Sequence, residues 1–253
     1  MMKILSWNCC GNFKEKIAFI MAFDWDIAII QECENPETIK VRNKKEEAIK
    51  KAFFNCFTSY QWIGESKNKG LGIFSRNKEL KMDERFSNMS SEFCKYGDSI
   101  HELKYFLPVK LDDLTIVAVW CHKADDNIFH YIGQLWKYLL LNEPFINSNT
   151  LFMGDFNASK IWDNECGWWS FSTVNKIFNQ KKLYSYYHAA RNEAFGEEKE
   201  HTYYHQWNKN KPFHIDYMYG SMERLKENSF RILSPEFELK LSDHAPLFCE
   251  IKT

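Results

Sequence analysis

The sequence predicts an α/β (α+β) sandwich, in which two mixed β-sheets pack on each other with helices on the outside. Three observations carry that expectation. Five apolar runs of strand length, "KILSWN", "DIAIIQE", "LTIVAVWCH", "TLFMGDFN" and "FHIDYMY", each carry polar residues at or near their ends. Helical patterns lie between several of them. The runs "YQWIG", "LGIFS" and "HELKYFLPVKL" follow one another with no helix between, which makes them antiparallel neighbours and argues against a purely parallel, doubly wound sheet.

Taken in order, "KILSWN" is a first strand ending at Asn8, and "DIAIIQE" is a second ending at Glu32. "NPETIKVRNKKEEAIKKAFF" reads as a helix with Asn35 as its cap and Pro36 in its first turn. The three antiparallel runs come next, broken by a polar stretch from Lys81 to Ser99 that lacks periodicity and reads as a surface loop. "LTIVAVWCH" delivers His122 to its tip. "NIFHYIGQLWKYLL" repeats an apolar face at Ile128, Ile132, Leu135 and Leu139, the spacing of an amphipathic helix. "TLFMGDFN" ends in Asp155 and Asn157. A charged stretch from Gly196 to Pro212 reads as a second surface loop, "FHIDYMY" carries Asp216 inside its run, and "LSDHAPLFCEI" closes the chain with a strand after Pro246.

The chain has 253 residues, 45% hydrophobic and 17% aromatic, enough for a large core and too apolar for a disordered chain. No Gly/Ser/Pro-rich linker or internal repeat divides it, so residues 1–253 are expected to form one domain. Lys+Arg 33 against Asp+Glu 34 leaves a formal net charge of -1, which excludes a global positive field for nucleic acid but not a local basic groove. "MMKILSWN" turns polar too soon for a signal peptide, and no apolar run approaches the ~20 residues of a membrane span. The 8 cysteines contain no C-x-x-C spacing, so reduced, mostly buried thiols in a cytoplasmic protein are the simplest reading. No obligate protein partner is evident.

The polar residues at the strand ends form an inventory: Glu32, Asp155, Asp216 and Asp243 as carboxylates, Asn8 and Asn157 as carboxamides, His122 and His244 as imidazoles. Hard oxygen ligands of this kind suit Mg²⁺, with Mn²⁺ as a substitute. Phosphoryl transfer needs the same set, because charge builds on oxygens that a metal, amide donors and an imidazole can stabilise.

The ordered series "SWN", "IIQE", "WCH", "GDFN", "HIDY" and "SDHAP" resembles the endonuclease/exonuclease/phosphatase superfamily, over nearly the whole chain from Asn8 to His244. The resemblance implies a deoxyribonuclease I-like four-layer fold and a Mg²⁺-dependent hydrolase of phosphate esters, with DNA or RNA as the leading substrate and a small-molecule or lipid-headgroup phosphate as the alternative. It implies that Glu32 binds the metal with Asn8 beside it and Asp243 at the metal side. It further implies that Asp155 prepares the attacking water, that Asn157 and His122 meet the phosphate, and that Asp216 orients His244. One departure stands out. In "SWNCCG", Cys10 occupies a position that is often acidic in the exonuclease III branch, which weakens the case for a second metal.

Each residue also has a bland reading. Glu32 could cap a helix, Asn8 and "GDFN" could be turns, and His122 could be a hydrogen-bonded strand end; a binding module on the same fold is the reading from another class. Asp216 amid apolar strand residues is harder to dismiss, since it must find a donor, and His244 is the natural one. Trp162, Trp168 and Trp169 are most simply core aromatics at this aromatic content, with Trp168 the candidate for stacking on a substrate. Tyr203 and His205 in "HTYYH" are candidate substrate contacts, and zinc at His201 and His205 is disfavoured by the strand-like flanks.

Overall fold

Strict alternation along buried strands builds the core. The computed structural model of the protein describes residues 1–90, 101–123, 129–233 and 241–253. The first half runs β1 (Met2–Asn8), α1 (Phe13–Met21), β2 (Ile27–Cys33), α2 (Lys44–Phe54), β3 (Ser59–Ser66), β4 (Lys69–Ser75), β5 (Lys81–Met82), β6 (Met89–Ser90), β7 (His101–Glu102), β8 (Phe106–Leu111) and β9 (Leu114–Trp120). The second runs α3 (Ile132–Leu141), β10 (Thr150–Asp155), α4 (Phe171–Gln180), β11 (Tyr184–Ser185), α5 (Tyr186–Arg191), β12 (Tyr203–Tyr204), β13 (Pro212–Phe213), β14 (Asp216–Gly220), β15 (Arg231–Ile232) and β16 (Leu247–Ile251).

One sheet has the order β15-β16-β1-β2-β4-β3 and the other β11-β14-β10-β9-β8-β5. In β2, Ile27 and Ile29 face the second sheet while Ala28 and Ile30 face the outer helices; in β9, Ile116 and Ala118 face the first sheet while Val117 and Val119 face outward. Strands buried on both faces read as continuous apolar runs for this reason. The central core, with Ile4, Ile29, Ile73, Val109, Met153 and Met218, lies between the sheets. Phe13, Ile20 and Phe53 of α1 and α2 cover the first sheet, and Leu135, Tyr138, Val174 and Phe178 of α3 and α4 cover the second. The four-layer sandwich read from the sequence is the fold.

Strand direction gathers the polar residues. The pairs β1/β2 and β9/β10 are parallel, whereas β14 and β16 run antiparallel to their neighbours β10 and β1. The carboxyl ends of β1, β2, β9 and β10 therefore meet the amino ends of β14 and β16 at one edge of the sandwich. Asp155 and Asp216 are direct cross-strand partners there.

Local details differ from the sequence reading in three places. The helix expected over "NPETIKVRNKKEEAIKKAFF" is two elements: Asn35 caps only a short 3-10 turn, Pro36–Thr38, and α2 starts afresh because the Asn43 side chain accepts from Glu46 N at 3.0 Å. "HELKYFLPVKL" is broken at Tyr105, whose φ is +62°, and β8 pairs with β9 and β5 in the second sheet while β3 and β4 pair antiparallel in the first. The stretch from Gly196 to Pro212 is no plain surface loop, since Thr202 is fully buried within it. Of the amphipathic face proposed for α3, Ile132, Leu135 and Leu139 are buried; Ile128 lies outside the described residues, as do residues 91–99 of the first polar stretch. Among the described residues, no helix is long and apolar enough to cross a membrane, and the cysteines at 9, 10, 33, 56, 121, 166 and 249 are free.

Candidate active site

The site is built on glycine and on a bulge. Gly154 has φ +147°, and a Cβ there would fall inside contact distance of the Val119 carbonyl, so only glycine lets β10 lie this close to β9 just before Asp155. Glu32 has φ +62° where the β2/β4 register shifts between Gln31 and Cys33. The bulge turns the Glu32 carboxylate out of the alternation that would otherwise sort it to one face.

From these positions one hydrogen-bonded chain runs through most of the inventory. Asn8 Nδ2 donates to Asp155 Oδ2 at 2.9 Å and to Glu32 Oε1 at 3.3 Å, while Asn8 Oδ1 accepts from Cys10 N at 3.0 Å. Asn157, at φ +45°, gives its backbone N–H to Asp155 Oδ1 at 2.8 Å. Its Nδ2 donates to Asp155 Oδ2 at 3.0 Å and to the Cys121 carbonyl at 2.9 Å, so the amide that was expected to meet a phosphate already holds the carboxylate in place. His244 Nδ1 donates to Asp216 Oδ2 at 2.9 Å, and both side chains are buried. Ligand atoms of Asp155, Asp216 and His244 all lie within 4.8 Å of one another.

Burial and charge set the protonation of this group. Burial pushes the Asp155 carboxyl up to about 7, with the Asp216 charge adding to the rise and His244 and Asn8 opposing it. Burial works against the charged form of His244, but the Asp216 charge and hydrogen bond, with Asp155 and Asp243 behind them, raise it to about 10. The imidazole is thus a buried cation between carboxylates at neutral pH. The spacing of Asp155, Asp216 and His244 could also hold a metal, but a ligating imidazole must be neutral. Glu32 is the better cation site: it is a carboxylate with 19% of its side chain exposed and already carries a cation, because Lys69 Nζ stands 2.7 Å from Oε2. Burial, with Asp243 and Glu32, pushes the Cys10 thiol up to about 11, so in the metal-free protein it is neutral where the exonuclease III branch often has an acid.

The other expected residues fall around this chain. Asp243 is half-buried, and its carbonyl accepts from Tyr204 N at 2.8 Å. The Tyr203 ring lies 4.5 Å from the His244 ring, and its hydroxyl is 2.9 Å from His205 Nδ1, so Tyr203 flanks the imidazole and His205 is joined to it through Tyr203. His122 is not bonded to the Asp155 group. Its Nδ1 donates to the Lys123 carbonyl at 2.8 Å, and its ring packs 4.9 Å from Trp120, over which Lys69 Nζ sits at 5.6 Å, placing it on the Glu32 side. Trp168 is 63% exposed, and it is Trp162 and Trp169 that line the cavity beside Asn157.

Three supports were not singled out in the sequence. Thr202 Oγ1 accepts from both Ile215 N and Asp216 N at 3.0 Å, fixing the start of β14. Ser242 Oγ donates to the Asn8 carbonyl at 2.6 Å and accepts from His244 N at 3.1 Å, tying β1 to the imidazole. Lys69 is the third. Nothing in their spacing marks Thr202 and Lys69, which act across strands far apart in the chain, whereas Ser242 stands in the "SDHAP" motif two residues before His244. Thr202→Val strands two buried N–H groups at about 1–3 kcal/mol each. A chain of this size loses roughly 2–4 °C per kcal/mol, so the melting temperature is expected to fall by several degrees in a thermal melt.

No family model matches the sequence, and no curated protein matches it. Solved structures do. An AP endonuclease from Archaeoglobus fulgidus is similar with a TM-score of 0.65 at 16% identity, and a 3′ phosphatase from Neisseria bound to a product DNA hairpin with 0.64 at 17%; each match covers 100% of both chains. An endonuclease/exonuclease/phosphatase family protein from Leptotrichia buccalis gives 0.58 at 17%, again over 100% of both chains. The resemblance carried by six short motifs thus extends to the architecture, and the chain has the fold of the endonuclease/exonuclease/phosphatase proteins.

Proposed function

We propose that the protein is a metal-dependent phosphoesterase that hydrolyses a phosphodiester of nucleic acid by in-line attack of water. The observation that carries this reading is one buried cluster in which ligand atoms of Asp155, Asp216 and His244 lie within 4.8 Å of one another, while Asn8 joins Asp155 to the more exposed Glu32. Both Asp155 and His244 are raised from their ordinary values, and perturbed titratable groups gathered in one place mark a candidate catalytic site. Asp155, ionised above neutrality and held on both oxygens by amide donors, takes the proton of the attacking water. His244, held charged by Asp216, faces the developing charge and supplies a proton to the leaving oxygen. Asn157 steadies Asp155, and His122 approaches the phosphate from the Glu32 side.

Glu32, together with Asp243 and with Asn8 as a strut to Asp155, would hold Mg²⁺ or Mn²⁺, which would neutralise charge on the phosphoryl oxygens. Lys69 competes for the same Glu32 oxygen. With the lysine half-exposed, that contact is worth up to about 1 kcal/mol, and Lys69→Met is expected to tighten Mn²⁺ binding by roughly fivefold in calorimetry. Unchanged affinity would remove Glu32 from the metal shell.

A nucleotide or other small phosphate is the second reading, favoured by the formal net charge of -1. A panel with Mg²⁺ separates the two. Shortening of a labelled oligonucleotide supports the nuclease, whereas release of inorganic phosphate from nucleotides without strand cleavage supports the phosphatase. The reduced thiols favour a cytoplasmic setting, and one domain spanning residues 1–253 is part of the same reading.

A further inference from the structure

Beside the Asp155 group lies a cavity of about 420 Å³, within the range of small-ligand sites. Its walls include His130, Tyr131, Asn157, Trp162, Cys166 and Trp169. Asn157 belongs to both places: it lines the cavity and its amide holds Asp155 at 3.0 Å. The cavity therefore adjoins Asp155 through a single residue, within reach of a group attached to an ester held there.

The walls specify the occupant. Trp162 is braced by Phe213 at 5.1 Å and Trp169 by Phe129 at 4.8 Å, so two indoles are fixed in place before any ligand arrives. No Lys or Arg lines the cavity among the described residues, and two acids, Asp163 and Glu165, do. A second phosphate is repelled there. His130 Nδ1 is buried without a hydrogen-bond partner among the described residues, a cost that a polar edge on the occupant would relieve. Braced aromatic rings, an open imidazole nitrogen and the lack of a basic wall together fit a neutral, planar heterocycle with hydrogen-bonding edges.

We propose that this cavity is a nucleobase subsite that takes the base of the nucleotide adjoining the scissile phosphate. The assignment rests on the phosphoesterase reading for its orientation toward Asp155, and it names the substrate as nucleotidic. Binding comes from stacking, which tolerates any base because every base has a π-face.

The test compares adenosine 5′-monophosphate with ribose 5-phosphate by calorimetry in EDTA, where turnover does not intervene. The wild type is expected to bind the nucleotide at least about tenfold more tightly, the scale of one stacked base. Trp169→Ala and the cavity-filling Cys166→Trp are each expected to bring the two ligands within about twofold. Equal affinities in the wild type, or a preference that survives both variants, overturn the subsite. Base preference without phosphoesterase turnover keeps the subsite and removes the hydrolase reading. Turnover of bis(p-nitrophenyl) phosphate with no base preference removes the subsite alone.

Discussion

Asp155→Asn is expected to lower phosphoesterase turnover by at least about 100-fold while flattening the dependence of stability on pH. The carboxyl titrates near 3.8 when unfolded and near 7 when folded. Between those values the folded state holds a proton that the unfolded state has released, so stability falls as pH rises through that window. This is the reverse of an ion-paired carboxylate. The shift corresponds to a ceiling of about 4 kcal/mol at 1.36 kcal/mol per unit, and an amide does not titrate. The Asn variant carries its own fixed cost, because its NH₂ must face Asn8 Nδ2 or Asn157 Nδ2 or N. Its stability relative to the wild type should nevertheless climb by up to a few kcal/mol between pH 4 and pH 7.5. Parallel denaturation curves at both pH values in EDTA would refute the buried, proton-holding Asp155.

His244→Ala removes the cation from the same cluster, and its pH effect has the same sign in a higher window. Turnover is expected to fall by at least about 100-fold, and the fold to lose on the order of 3–5 kcal/mol at neutral pH, since Asp216 is left as a buried charge without its partner. The sign with pH follows from the raised imidazole. Its contribution is fully present below about 6.5 and is lost as pH rises toward 10, so the gap between wild type and variant narrows from neutral to alkaline pH. Chemical denaturation at pH 6.5 and 9.5 measures it. A constant gap across that range would show that Asp216 does not hold the imidazole charged.

The fold was legible because its strands are buried on both faces and therefore write unbroken apolar runs, and their ends stand out by contrast. Asn8, Glu32, Asp155, Asp216 and His244 come together because strand direction sends these ends to one edge. What spacing cannot encode is the partner across the sheet. Lys69 reaches Glu32 through a bulge in the β2/β4 ladder, and Thr202 reaches β14 from a stretch whose composition reads as loop. Asn157 offered its residue type but not its hydrogen bonds, which turn inward to Asp155 and Cys121. The choice of Asn43 over Asn35 as the cap of α2 turns on which cap starts a run long enough to bury Phe53.

The central claim is that one buried cluster and Glu32 form a metal-dependent centre for hydrolysing phosphate esters. Its most direct measurement is release of p-nitrophenolate from bis(p-nitrophenyl) phosphate by the wild type, with Mg²⁺ and then with excess EDTA. Turnover that requires the divalent ion and is lost in Glu32→Ala is the expected result. Equal rates with and without EDTA, or a Glu32→Ala enzyme as fast as the wild type, would contradict it.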